Sequence, residues 1–371
     1  LHKVTIHPRW SIERPDGAGL SQRLLQVLVD VHEHGSLARA CQHSGMSYRH
    51  AWQLIREGEA LFGTPLLTME RGKGSSLTEL GDKLVWADRR INARLSPLFV
   101  SLASELEAEI EKLVVPAHAL MRIHANHGFA VETLRTFLAN ASVPHELKYC
   151  GSVEAVAALH GQACEVAGFA VPVGEFQPAV AAHYARWFDL RSQRIVHVTT
   201  REQGLMVAPG NPHKIYEVAH LARPGVRFIN RQPGSGTRLL LDLMLHKQGL
   251  EHSRIHGHEQ CEFTHAAVAA YVASGMADVG FGVETPARRF KLDFIPLQTE
   301  RYFLLCDERV METPVVQQML AILRSAEFRR AVNLLPGYRA DGSGTVMKLD
   351  EAFETLQAGS PRRRRARSVG V

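Results

Sequence analysis

The sequence predicts a multi-domain chain: an all-α, winged helix-turn-helix N-terminal domain, a long linker helix, and a C-terminal two-lobed α/β domain. Three observations carry that expectation. Helical patterns between residues 20 and 62 are joined by a tight glycine turn, the signature of a helix-turn-helix. Apolar residues at helical spacing then continue from Leu84 to Leu113. From Ala119 onward short apolar runs alternate with helical patterns, which is how an α/β domain with a mostly parallel sheet reads.

Composition sets the outer bounds. A chain of 371 residues can bury two or three cores, and 45% hydrophobic with 22% charged residues is the make-up of a soluble globular protein. The formal charge of +5 resides in the last thirteen residues, GSPRRRRARSVGV: without their five arginines, the 43 basic residues fall to the number of acidic ones, 38. A nucleic-acid site must therefore be local, and the arginine run is expected to be a disordered tether of non-specific affinity. Cys41, Cys150, Cys164, Cys261 and Cys306 are far apart, odd in number and without a CxxC pair. That argues against a disulfide framework or zinc ribbon and implies a reduced, cytoplasmic setting. LHKVTIHPRW has no signal-peptide core, and no run approaches the roughly 20 apolar residues of a membrane span.

Leu24, Leu25, Leu28 and Val31 predict a first helix that stops at Gly35. Ser36 caps a short second helix to about Gln42, Gly45 turns the chain, and Ser47 caps a third helix to about Phe62. LLTMERGKGSSLT reads as two extended pieces around a basic tip, a wing. Residues 76–113 form the long helix, and its apolar seam wants a partner helix, most simply that of a second subunit. Pro97 is expected to kink or restart it. Val115-Pro116 ends the helix; the following region of about 240 residues is large for one α/β unit, so two lobes with a cleft are expected, with order fading beyond Phe353.

Between His34 and Arg56 there is no Asp or Glu. Clearing acid from one face avoids repulsion by a duplex. Ser36, Arg39, Ser47, Tyr48, Arg49, Trp52, Gln53 and Arg56 are the candidate contacts to double-stranded promoter DNA, with Arg71 and Lys73 on the wing. Arginine suits guanine edges or phosphate, glutamine suits adenine, and a hydroxyl at a helix N-terminus suits phosphate. The bland alternative is a helical hairpin with solvated arginines and Trp52 in its core.

The segment GSLARACQHSGMSYRHAWQLIREGEALFGTPLLTMERGKGSSLTELGDKL resembles the winged helix-turn-helix of LysR-type regulators, specifically the ModE-type branch. The resemblance covers residues 20–113. It implies DNA contact by Ser47, Tyr48, Arg49, Arg56, Arg71 and Lys73. The chain departs from a standard molybdate sensor in that no pair of small oxyanion-binding domains follows the head.

In the second part, three places combine a strand end, a small polar residue and a following helix: Gly151-Ser152, Gly234-Ser235-Gly236-Thr237-Arg238, and Thr264-His265. Each offers backbone N–H groups and a hydroxyl at a helix N-terminus, where the helix dipole favours an anion. The alternative is that Ser152, Ser235 and Thr264 are ordinary N-caps. Asn126 and His127 follow the first strand, and Thr200 and Arg201 open TREQGLMVAPGNP; they complete the candidate effector set. This half resembles the type 2 periplasmic-binding-protein-like domain found behind ModE-type heads, on TREQGLMVAPGNP, VRFINRQPGSGTRLLLDLML, FTHAAVAAYVASGMADVGFG, GSVEAVAAL and EVAGFAVP. The resemblance implies two lobes joined by crossing strands, an effector in the cleft and no catalysis. Similar full-length proteins regulate formate dehydrogenase genes, so formate, molybdate or tungstate, or a pterin cofactor are the implied effectors.

Two rival readings stand beside this one. His252, His256, His258, Cys261 and His265 fall within fourteen residues, yet their irregular intervals do not match paired zinc ligands, so no metal and no cofactor is expected. No GxSxG, Walker lysine or HExxH motif occurs, and no catalytic residue is assigned; Glu284 is a lone carboxylate. The expected layout is a head at 1–82, a linker helix at 83–114, an effector domain at 115–350 and a basic tail at 351–371, assembled as a homodimer or homotetramer through the linker.

Overall fold

The computed structural model describes residues 3–15, 17, 19–70, 74–114 and 120–353. Arg71 and Lys73 of the wing tip, the Val115-Pro116 junction and the arginine-rich tail lie outside them.

The head is built from α1 (Gln22–His34), α2 (Leu37–Ser44) and α3 (Tyr48–Phe62). Ser21, Ser36 and Ser47 cap them by accepting from the backbone N–H of Arg23, Arg39 and His50, and each helix ends at a glycine with φ between 65° and 76°, the left-handed conformation that only glycine adopts without strain. Leu24, Leu28, Leu37, Ile55 and Leu66 pack as its core. The wing is the antiparallel pair β1 (Leu67–Glu70) and β2 (Gly74–Leu77). Ser75 Oγ accepts from the Leu37 N–H at 2.7 Å and ties the wing to the start of α2.

Helix α4 (Glu79–Val114) runs unbroken through Pro97, so the proline does not restart it. Its apolar seam divides. Leu84 joins the head core, whereas Leu98, Leu102, Leu106 and Leu113 are exposed. The N-terminal arm lies along the same helix, with the Val4 N–H on Glu107 and Trp10 Nε1 on Asp88.

Beyond the linker come β3 (Met121–Ala125), α5 (Phe129–Asn140), β4 (His145–Tyr149), α6 (Ser152–His160), β5 (Val166–Pro172), α7 (Gln177–Tyr184) and β6 (Gln193–Val207). Then follow β7 (Phe228–Arg231), α8 (Gly236–Lys247), β8 (Cys261–Glu262), α9 (His265–Ala273), β9 (Val279–Val283), α10 (Glu284–Arg289) and β10 (Asp293–Asp307). The chain closes with α11 (Glu308–Met311), α12 (Pro314–Arg324), α13 (Ala326–Asn333), β11 (Tyr338–Arg339), β12 (Val346–Lys348) and α14 (Leu349–Ala352). Phe353, just past the expected boundary at 350, is fully buried beside Phe169 and Phe188.

The sheet runs β4-β3-β5-β10-β6-β9-β7-β8. It is less parallel than expected. β3 pairs in parallel with β4 and β5, and β7 with β8 and β9, but β10 is antiparallel to both β5 and β6, and β6 to β9. The reason is topological: β6 and β10, 15 residues each, cross between two parallel clusters in opposite directions. Two lobes therefore share one sheet, and their helix-bearing strand ends face a common cleft.

Candidate functional site

The cleft gathers the carboxyl ends of the parallel strands, where ligands of α/β sheets bind. Asn126 and His127 follow β3, Ser152 follows β4, Arg231 ends β7, and His265 follows β8. The crossing strands add Arg201 and Gln203 from β6, two residues apart and hence on one face, with Glu300 and Tyr302 from β10. Asn126, Ser152, Arg201, Gln203, Arg231, Thr237, His265, Glu300 and Tyr302 are all buried. The lobes meet closely: a Cβ on Gly151 would lie 3.0 Å from the Gly234 carbonyl oxygen. At the rim a cavity of about 190 Å³ opens between Val153 and Tyr184 of one lobe and Gly234, Gly236 and Arg238 of the other.

The charges are unequal. Arg201 donates to Glu300 at 2.6 Å, and Gln203 Nε2 donates to the same carboxylate at 2.6 Å and to Thr237 Oγ1 at 3.0 Å. Burial opposes charge on Arg201, but Glu300 beside it raises its pKa. Arg231 has no such partner. Its Nη2 donates to the Phe263 carbonyl at 2.8 Å and its Nε to Gln232 at 3.3 Å, while Nη1 has no hydrogen-bond partner among the described residues. Burial, then Arg201, push its pKa down to about 9. Below that pH two buried guanidinium groups face one carboxylate, an excess of one positive charge.

Around them, among the described residues, stand polar atoms without a hydrogen-bond partner: Asn126 Oδ1, His127 Nδ1, Gln203 Oε1, both ring nitrogens of His265 and the Tyr302 hydroxyl; the Ser152 and Tyr184 hydroxyls face each other, and the Tyr338 hydroxyl faces Arg201. Buried polar groups normally find partners, so a cluster of orphans reads as one half of a ligand's hydrogen-bond set. A small anion would satisfy both the charge and the donors.

Both histidines enter neutral. Burial first, then Arg231, pushes His127 down to about 3, and His265 is lowered well below its usual range for the same reasons. A histidine depressed in the fold but ordinary when unfolded takes up its proton only on unfolding, so stability rises with pH across that window. Stability is expected to fall as pH drops from about 6.5 toward 3, by up to about 1.4 kcal/mol per pH unit for His127, and the melting temperature falls with it. His127→Asn should flatten that slope in a pH series of thermal melts; an unchanged slope would contradict the neutral-histidine assignment.

The other sequence candidates fall elsewhere. Thr200 alternates with Arg201 to the opposite face, its Oγ1 3.4 Å from His197 Nε2. Thr264 caps α9 through the Ala267 N–H and donates to the Ala93 carbonyl of α4. Ser235 caps α8 by accepting from the Arg238 N–H, and Arg238 turns to Asp242 and His258. Ser152 is not a cap: Gly151 holds that position, and the Ser152 hydroxyl faces Tyr184 in the cleft. Ser235→Ala should therefore cost about 1 kcal/mol of stability as a lost cap and spare ligand response. Thr237→Val, which removes an acceptor inside the cleft, should do the reverse; thermal melts with and without anion separate the two. Sequence reading missed Arg231, Gln203, Glu300, Tyr184, Tyr302 and Tyr338. The available signal was a charged residue closing or interrupting an apolar strand, as in VRFINR and LQTERYFLLC.

Of the histidine run, His265 belongs to the cleft, and Asp242, His252 and His258 gather within 4.8 Å. Arg238 Nε already sits 3.2 and 3.3 Å from the two Asp242 oxygens and its Nη2 3.1 Å from His258 Nδ1. The cluster thus has a resident cation.

In the head, Arg39, Ser47, Tyr48, Arg49, Gln53 and Arg56 are exposed on or beside α3, and Ser36 is partly so. Trp52 is half-buried, stacked on Tyr48 at 6.4 Å and covered by Arg56 at 4.9 Å. On α3 the side chains of Gln53 and Arg56 are engaged by Glu57 and Glu59, the first acidic residues after the stretch from His34.

Fold and site together define a helix-turn-helix head joined by a rod to a two-lobed ligand-holding domain. The family described as bacterial regulatory helix-turn-helix protein, lysR family, matches residues 22–82, and the PBP superfamily domain matches residues 135–324, about half of the chain. The chain belongs to the PBP superfamily, and its residues 22–82 are a helix-turn-helix domain of the lysR family. It is 30% identical over 200 residues to YvgK of Bacillus subtilis (strain 168), covering 54% of this chain and 64% of that protein, so it spans less than two thirds of that relative. It is 28% identical over 97 residues to the molybdenum-pterin-binding protein MopB of Rhodobacter capsulatus, covering 25% of this chain and 36% of MopB. Among solved structures, CbnR, a LysR family transcriptional regulator, overlays with a TM-score of 0.37 at 16% identity, over 83% of this chain and 98% of that one. No helix of the described residues is long and apolar enough to cross a membrane.

Proposed function

We propose that this chain is an effector-responsive transcription regulator of the cytoplasm. It binds double-stranded promoter DNA through α3 and the wing, and holds a small anion in its cleft. The observation that carries the effector half is Arg231: a fully buried guanidinium whose Nη1 has no partner among the described residues, with no carboxylate of its own, beside the unpartnered ring nitrogens of His127 and His265 and the Tyr302 hydroxyl. The DNA half is supported by the lysR-family match over 22–82 and by the acid-free stretch from His34 to Arg56. The exposed leucines Leu98, Leu102 and Leu106 of α4 supply the surface for a homodimer or homotetramer. The layout of head, linker helix, effector domain and basic tail serves these roles in turn.

The anion is of the formate or molybdate and tungstate class, and the regulated genes are those of formate dehydrogenase. The likeness to MopB keeps a molybdenum-pterin effector as a neighbouring choice. A metal ion at Asp242, His252 and His258 is the second reading, supported by their mutual distance and opposed by Arg238. A thermal-shift screen against formate, molybdate, tungstate, sulfate, a pterin and zinc, with promoter binding measured for each hit, tests this. An anion that raises the melting temperature and changes DNA affinity is expected. Zinc alone, or no response at all, would sink the anion reading.

A further inference from the structure

We infer that helix α4 is a strap laid across both lobes and hinged at Pro97, so that closure of the cleft on an anion becomes a bend in the rod that carries the DNA-binding head. This inference rests on the cleft reading above and adds the route by which the cleft reaches the head.

Proline has no N–H, so inside a helix it strands the carbonyl four residues earlier. Here that carbonyl belongs to Ala93. Its acceptor capacity is not left to water: Thr264 Oγ1 donates to it at 2.9 Å. The same hydroxyl accepts from the Ala267 N–H at 2.9 Å and so caps α9, which uses a hydroxyl as donor and acceptor at once. One helical turn of α4 is thus completed by a residue of the second lobe.

The neighbouring contacts follow the same division. Glu262 pairs with Arg94 at 3.0 Å, and between Glu262 and Thr264 the Phe263 carbonyl takes the bond from Arg231 Nη2. Three consecutive residues therefore join the anion-site arginine to α4 on the N-terminal side of Pro97. On the other side, Ser101 Oγ accepts from the Tyr149 N–H at 2.9 Å and Ser104 Oγ accepts from the Leu147 N–H at 2.8 Å. Both N–H groups lie on β4, the edge strand of the first lobe. The helix is fastened to the second lobe at residues 93 and 94 and to the first lobe at 101 and 104. Pro97 stands between the two fastenings, at the point where an α-helix bends most readily.

When the lobes rotate about the crossing strands, both fastenings move with their lobes. The only backbone link between them that lacks its own helical hydrogen bond is the turn from Ala93 to Pro97. An anion drawn to Arg231 changes the position of Phe263, and Thr264 and Glu262 carry that change to α4.

The test is hydrogen exchange of the full-length protein at the α4 amides 94–101, read in a cycle of Thr264→Val and Pro97→Ala, with Thr264→Ser as the conservative control. Thr264→Val should speed exchange there about tenfold, the effect of stranding one buried carbonyl, and Thr264→Ser should restore it. In the Pro97→Ala background Thr264→Val should change exchange little, because the alanine N–H returns to Ala93 its normal helical partner. Loss of the α9 cap is common to both backgrounds, so it cancels. Whichever of formate, molybdate, tungstate or sulfate raises the melting temperature should still do so in Pro97→Ala, while no longer changing promoter affinity. Equal Thr264→Val effects in both backgrounds, or a full anion response of DNA affinity in Pro97→Ala, would overturn the strap. If none of these anions raises the melting temperature, the cleft reading fails, and the exchange cycle still decides the strap by the same criterion.

Discussion

Arg231→Gln is expected to abolish the anion-induced rise in melting temperature while leaving the ligand-free protein as stable as wild type or more so. The side chain is fully buried, and burial with Arg201 nearby pushes its pKa down to about 9. Carrying that charge into the fold costs stability at neutral pH. The sign follows from linkage: from about pH 9 up to arginine's higher ordinary value the unfolded chain keeps the proton and the folded one does not, so this group's contribution improves as pH rises through that window. A bound anion removes the penalty by supplying the missing counter-charge, which is why one arginine can govern both affinity and stability. Removing one like charge from a buried pair should raise the ligand-free melting temperature by roughly 2–4 °C, the equivalent of about 1 kcal/mol in a domain of this size. The lost bond to the Phe263 carbonyl acts against part of that gain. A variant that melts far below wild type and still responds to the anion would show that Arg231 is a structural residue.

Arg49→Ala combined with Arg56→Ala is expected to lower specific promoter affinity by roughly two to four orders of magnitude, taking about 1–3 kcal/mol for each arginine removed from the duplex. Arg49 and Arg56 are exposed, so the fold should be intact. Arg56 is held over Trp52 and near Glu59, which presents its guanidinium without burying it. The salt slope of the remaining binding should fall by about one for each phosphate no longer neutralised. Titration of labelled promoter DNA at several salt concentrations measures both effects; unchanged affinity with native thermal melts would place the DNA face elsewhere.

The head was almost entirely legible in the sequence. Its boundaries are set by Ser36, Ser47, Gly35 and Gly45, whose capping and left-handed roles are local chemistry. Those roles need no information from distant residues, and the expected helices differ from the observed ones by a residue or two. The division into two lobes was also readable, because strands alternating with helices leave few arrangements. The direction of β6 and β10 was not, since an apolar strand reads the same whichever way its neighbours run.

The candidate cleft was legible in part for the same reason. Asn126, His127, Ser152, Thr237 and His265 could be named because each follows a strand and precedes or opens a helix. Thr200 and Arg201 show the limit: one step along a strand reverses the face, and only Arg201 meets Glu300. Thr264 has the same local pattern as Ser152, yet its hydroxyl is spent on α4 while that of Ser152 turns to Tyr184 in the cleft.

By itself the sequence determined the helices and their caps, the acid-free stretch from His34 to Arg56, the long helix with its proline, and the alternation that makes two lobes. These follow from interactions within a few residues of each other. Only the tertiary structure decided that Arg231 lies near Arg201, whose own partner is the Glu300 carboxylate, and that the carbonyl stranded by Pro97 is met by Thr264. Those pairings join residues from 30 to 171 positions apart, and the burial that makes them costly or useful exists only when the lobes are closed around them.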